Sequence, residues 1–148
     1  MMSWLMFLDI IAAVVKLSMI IMVGIYFIFS NTIIAVLRQT KSGADIMVEI
    51  NRVILNAVFL CCFVISGLGS LHLALFGDGY QMISGCLFFF GTTLLTIVIN
   101  VPLNNQLRDT NGAEQRRVFW RQYQVDWLRW NHVRTLCASV AGLLLVIQ

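Results

Sequence analysis

Trp127, Asn131 and Arg134 stand at i, i+4 and i+7, so in a helix they share one face. Together they suit one kind of chemistry. A tryptophan supplies a flat wall, an amide fixes orientation, and a guanidinium holds a permanent positive charge where an oxyanion develops. The same stretch adds Trp130 and His132. His132 points away from the stripe, toward Leu128, Arg129 and Thr135, which places it at the edge of a site or against another helix. For that histidine a hydrogen-bonded structural role weighs against one as a general base.

Five asparagines extend the pattern: Asn31, Asn51, Asn56, Asn100 and Asn131. They fall at one depth if the chain folds as antiparallel helices, and Tyr26 and Asn104 fall with them. An amide in hydrocarbon without a partner costs several kcal/mol. These groups must bond to one another, to backbone, to water or to a ligand. Polar glue between helices is one account. A lined pocket for an amphipathic small molecule is the other. Glu49 and Arg52, at i and i+3, read as a local surface ion pair.

Metal and redox chemistry find less support. Cys61, Cys62, Cys86 and Cys137 all fall in apolar stretches with no CxxC spacing, which reads as packing. His72 and His132 lie toward opposite ends of the fold, so joint ligation of a metal or haem is not expected. No cofactor is expected either.

The elements that position these residues follow from hydropathy. The 148 residues are 59% hydrophobic and 11% charged, against roughly 25% charged for a soluble domain. Such a chain takes lipid as its solvent. The expected fold is an all-α, integral membrane four-helix antiparallel bundle forming one domain. Its spans are expected at about 8–37, 50–76, 80–103 and 127–147. Gly77-Asp78-Gly79 marks a tight turn, and Pro102 falls near the end of the third span. The charge-free part of the last span, Thr135 to Ile147, is too short to cross alone, so it must recruit the turns that carry Trp127 to Arg134. Before it, Phe119, Tyr123 and Trp127 recur at helical spacing, an amphipathic interfacial helix.

Basic residues set the expected orientation. Arg38, Lys41 and Arg52 flank one long loop, and Arg108, Arg116, Arg117, Arg121, Arg129 and Arg134 flank the other, with only Lys16 opposite. The positive-inside rule then puts both loops in the cytoplasm of a plasma membrane and both termini outside. Expected partners are the lipid bilayer and a lipophilic small molecule, with no nucleic acid. The small-residue face Ser66, Gly67, Gly69 and Ser70 suits packing of a second copy as a homo-oligomer.

Four patterns together carry a family resemblance. They are Gly24-x-x-Phe27-x-Phe29-Ser30, Met47-x-x-Ile50-Asn51 with Asn56 and Phe59, Asn100-Val101-Pro102-Leu103-Asn104-Asn105, and Trp127-x-x-Trp130-Asn131-His132-Val133-Arg134-Thr135. The chain resembles the anthrone-oxygenase-like family of small four-helix membrane proteins over nearly its whole length. That resemblance implies oxidation of a flat lipophilic aromatic or quinone-like compound without a dedicated cofactor. On this reading Trp127 or Trp130 stacks the ring, Arg134 with Asn131 or Asn100 holds the oxyanion, and His132 takes the proton. Asn104, Asn51, Asn56, Asn31 and Tyr26 complete the substrate pocket.

Two readings remain open from the sequence. One is a membrane oxygenase of this kind. The other is a non-enzymatic protein that binds a hydrophobic ligand or serves a larger membrane complex. A transporter is disfavoured, since no paired charges line a path.

Overall fold

The computed structural model describes residues 3–147, and every regular element among them is helical. Five helices follow in order: α1 (Trp4–Gln39), α2 (Gly43–Ile54), α3 (Ala57–Phe76), α4 (Tyr80–Asp109) and α5 (Ala113–Val146). Among the described residues α1, α3 and α4 are each long and apolar enough to cross a membrane. The fold is a helical membrane bundle. Its outward side chains are largely apolar, as a lipid solvent demands.

The long helices form a ring in which α1 touches α3 and α5, and α4 touches the same two. Small residues set the closest approaches. Gly85 of α4 meets the backbone of α3, where a Cβ would stand 2.3 Å from the Ala74 nitrogen. Gly91 lets α4 meet Cys137 of α5, where an added Cβ would be 2.5 Å from the Cys137 Cβ. Gly67 and Gly69 are spent inside the chain, against Thr93 and Val15, and Ser66 and Ser70 are buried. The face expected to be free for a second copy is therefore turned inward.

Two apolar cores fill the ring. One joins Met19, Met22, Phe88, Ala138, Ala141 and Leu145 of α1, α4 and α5. The other joins Phe29, Ile34, Leu37, Met47, Leu107, Tyr123 and Trp127, and brings in α2 across one end of the bundle. Along α5, Asn131 and Arg134 lie between Trp127 of one core and Ala138 of the other.

Helix boundaries depart from expectation in three places. The expected span 50–76 is broken at Leu55 and Asn56. Residues up to Ile54 belong to α2, and Asn56, in extended backbone, starts α3 by accepting from the Phe59 amide at 3.1 Å. Helix α4 runs past Pro102 to Asp109, because a π-turn over Thr96–Asn100 takes up the hydrogen-bond register that the proline interrupts. The interfacial helix expected before the last span is no separate element. No glycine or proline falls between Ala113 and Ala141, and α5 is one rod of 34 residues, about 51 Å long.

Candidate functional site

The stripe on α5 turns inward. Trp127, Asn131 and Arg134 are all buried, with Arg134 only 6% exposed. Their surroundings come from α1 and α4. Tyr26 and Ser30 approach from α1, and Thr96 and Asn100 from one face of α4.

Local distortion of α1 makes the contact with α5. A π-turn over Phe29–Ile33 shifts the helical register just after Tyr26. The Tyr26 carbonyl there accepts from Asn131 Nδ2 at 3.1 Å and from the Thr135 hydroxyl at 3.1 Å. Asn131 Nδ2 also donates to Ser30 Oγ at 2.6 Å. With both hydrogens committed, the Asn131 amide can turn only its oxygen to Arg134. That oxygen accepts from Arg134 Nε at 2.7 Å. Arg134 Nη1 donates to Thr96 Oγ1 at 3.1 Å. The guanidinium carbon lies 4.4 Å from the Tyr26 ring centroid and 5.1 Å from that of Trp127.

Among the described residues no carboxylate completes this cluster. The ion pairs among the described residues are Arg52–Glu49, Arg108–Asp109, Arg116–Asp45 and Arg117–Glu114, all away from Arg134. A buried cation is normally paired. Here two of its five N–H groups serve neutral oxygens, two aromatic faces screen it, and the remainder faces a cavity.

That cavity holds about 430 Å³ and is bordered by Arg134, Tyr26, Trp127, Thr96 and Asn100 at its inner end. Phe29, Phe59 and Ile25 supply apolar walls. Three buried polar atoms on these same residues have no protein partner: the Tyr26 hydroxyl, Trp127 Nε1 and Asn100 Oδ1. Buried polar groups are rarely left so, and all three belong to residues that border the cavity. Toward the outer end stand Asn51 and Asn104, joined at 3.2 Å, with the Tyr123 hydroxyl donating to Asn104 at 2.8 Å. At the rim the Arg52 guanidinium donates to Glu49 at 2.8 Å, and that bond holds the Glu49 carboxyl below its ordinary range.

The structure thus gathers Tyr26, Asn51, Asn100, Asn104, Trp127, Asn131 and Arg134 into one region. It leaves four expected residues outside. His132 is exposed and borders no part of the cavity, because it follows Asn131 by one residue, about 100° around the helix. Trp130 likewise lies off the stripe, beside Arg129 at 6.0 Å. Asn31 is exposed within the π-turn of α1, and Asn56 is spent as the cap of α3. Phe29 and Phe59, not singled out as site residues from the sequence, are wall residues that only the packing reveals.

A family model described as anthrone oxygenase matches residues 4–144. The chain belongs to the anthrone oxygenase family. The match reaches into all five helices, and every residue around the cavity of this family member falls within it. No curated protein and no solved structure matches the chain.

Proposed function

We propose that this member of the anthrone oxygenase family oxidises a flat, lipophilic aromatic compound, anthrone-like or quinone-like, in the cavity beside Arg134. One observation carries the reading. A buried arginine, with no carboxylate beside it among the described residues, borders an aromatic-walled cavity together with Tyr26, Asn100 and Trp127, each of which carries an unpartnered buried polar atom.

The chemistry starts from the substrate's own acidity. Loss of a proton from the methylene of an anthrone gives a carbanion whose charge sits mainly on the ring oxygen. Arg134 holds that oxygen, with the Trp127 indole N–H as a second donor, which stabilises the anion relative to the neutral molecule. Phe29, Phe59 and the Tyr26 ring hold the rings flat. The electron-rich carbon then adds to dioxygen and forms a carbon–oxygen bond. After protonation, the hydroperoxide eliminates water across the remaining C–H and O–O bonds, leaving a second carbonyl. One anthrone and one dioxygen give one anthraquinone and one water.

His132 does not take the proton on this reading. Among the described residues no carboxylate or imidazole borders the cavity. The proton leaves to water at the rim, and the guanidinium does the work of a base by making the anion cheap to form. That same lack of a base favours a second reading, a protein that holds an oxygenated aromatic without converting it. Oxygen uptake separates the two. Protein in lipid nanodiscs, given anthrone in air, is expected to consume dioxygen and yield anthraquinone at equal rates. Retention of anthrone with uptake at the spontaneous rate would leave only the binder.

The orientation proposed with this function places α5 across the bilayer through Trp127–Val146, as a fourth span in one transmembrane domain. Both basic loops face the cytoplasm of a plasma membrane, and both termini lie outside. The grouping of Arg38, Lys41, Arg52 and Arg108 at the end of the bundle near α2 supports it.

A further inference from the structure

Helices α3 and α4 are tightest near the turn that joins them, where Gly85 meets the α3 backbone. Helix α3 packs on α4 through Tyr80–Leu94 and makes no comparable packing with Thr96–Asp109. The pair opens like a V, and the cavity lies at the open end. Phe59 and Leu55 form the lip on the α3 side, and Val101 forms the lip on α4. Leu55 is 58% exposed and Val101 40%, although both border the cavity. Next to them Val58 and Val98 also face outward. Both lips thus present apolar surface beside two of the helices that are able to cross a membrane. The polar rim residues Arg52, Asn105 and Arg108 stand at one corner, toward the helix ends.

We propose that the ligand reaches Arg134 sideways from the bilayer, through the slot between α3 and α4, and that its class is a flat phenol dissolved in the leaflet. The inference rests on the reading of Arg134 as holder of an ionised ring oxygen. A phenol of this kind lies in a leaflet with its rings in hydrocarbon and its hydroxyl at the headgroups. That depth matches the slot, which has apolar lips and a polar corner. Passage from lipid to the aromatic walls never exposes the rings to water, so the barrier is that of parting the lips. The hydroxyl stays neutral in the leaflet and ionises only beside the guanidinium.

The test uses the whole protein in phosphatidylcholine vesicles with 1-hydroxypyrene as the probe, followed by stopped-flow fluorescence anisotropy. Narrowing the slot with Leu55→Phe and Val101→Phe is expected to slow association and dissociation by the same factor, about tenfold. Widening it with Leu55→Ala and Val101→Ala is expected to speed both. A folding defect would not produce that acceleration. Arg134→Gln is expected to lose retention of the probe. If both lip pairs leave the rates unchanged while Arg134→Gln loses the probe, the site stands and the lateral passage is wrong. Equal retention by wild type and Arg134→Gln would overturn the role of Arg134 and the passage with it. A phospholipid found in the wild-type cavity by native mass spectrometry, and displaced by the narrowed lips, would make the slot a lipid site and overturn the proposal.

Discussion

Arg134 Nε donates to Asn131 Oδ1 at 2.7 Å, so the nearest anchor of the buried cation is an amide and not a carboxylate. The positive charge is held in place without being cancelled. Replacing Asn131 with aspartate tests this difference with one heavy atom changed. Asn131→Asp is expected to form an ion pair with Arg134 and lower turnover about 10²–10³-fold, the range for loss of an oxyanion donor. Ser30 can turn its hydroxyl to donate, and Thr135 still serves the Tyr26 carbonyl. The new oxygen faces that carbonyl where Nδ2 donated at 3.1 Å, so a drop of the thermal midpoint by a few degrees accompanies the loss of turnover. Initial rates in nanodiscs, with far-UV circular dichroism as the control, check it.

Arg134→Met separates function from scaffolding. The variant removes a desolvated charge and leaves the Asn131 oxygen without a donor, two changes that oppose each other in stability. Turnover is expected to fall about 10²–10³-fold while the thermal midpoint moves by only a few degrees. A collapse of the midpoint with proportionate loss of activity would mean that the cluster is merely structural.

His132→Ala is expected to leave kcat/KM within about twofold, because the residue is exposed and apart from the cavity. The shape of the pH–rate profile should be unchanged as well. A profile that loses a limb in this variant would restore the histidine as the base.

Thr135→Val removes the hydroxyl that donates to the Tyr26 carbonyl and lies 2.8 Å from Ser30 Oγ. The Tyr26 carbonyl then keeps the Asn131 amide and the Phe29 backbone N–H as its donors. A loss of about 1–2 kcal/mol is expected, read as a drop of the thermal midpoint by a few degrees.

Gly91→Ala is expected to destabilise by about 1–3 kcal/mol through overpacking, since the new methyl group would collide with Cys137. It should also lower activity by pushing the α4 face that carries Thr96 away from Arg134. Adding Cys137→Gly is expected to restore part of both, measured by thermal midpoint and initial rate.

What could be read from the sequence was what depends on spacing along one helix. Trp127, Asn131 and Arg134 share a face because of their offsets, and burial followed from the shortness of the apolar run behind them. The same offsets place His132 off that face, so its assignment to the proton transfer ran against its own geometry. Other features depend on partners remote in sequence. Nothing between Ile50 and Phe76 signals a break by glycine or proline before Gly67, so α2 merges with α3 when read by hydropathy alone. The available signal was Asn56, a strong capping residue directly before an apolar run. The π-turn at Phe29–Ile33 has no composition that marks it, whereas the one at Thr96–Asn100 announces itself through Pro102. The slot has no sequence signature, because it arises where two helices fail to meet.

The uncancelled charge also has a thermodynamic corollary. Folding strips Arg134 of most of its hydration and returns only part of that energy, so the vacant protein is its least favourable form. An anion that settles on the guanidinium supplies the remainder, and mass action then turns affinity into resistance to heat. Membranes rich in such a compound would hold the sturdier population of this protein, and membranes lacking it the more fragile one.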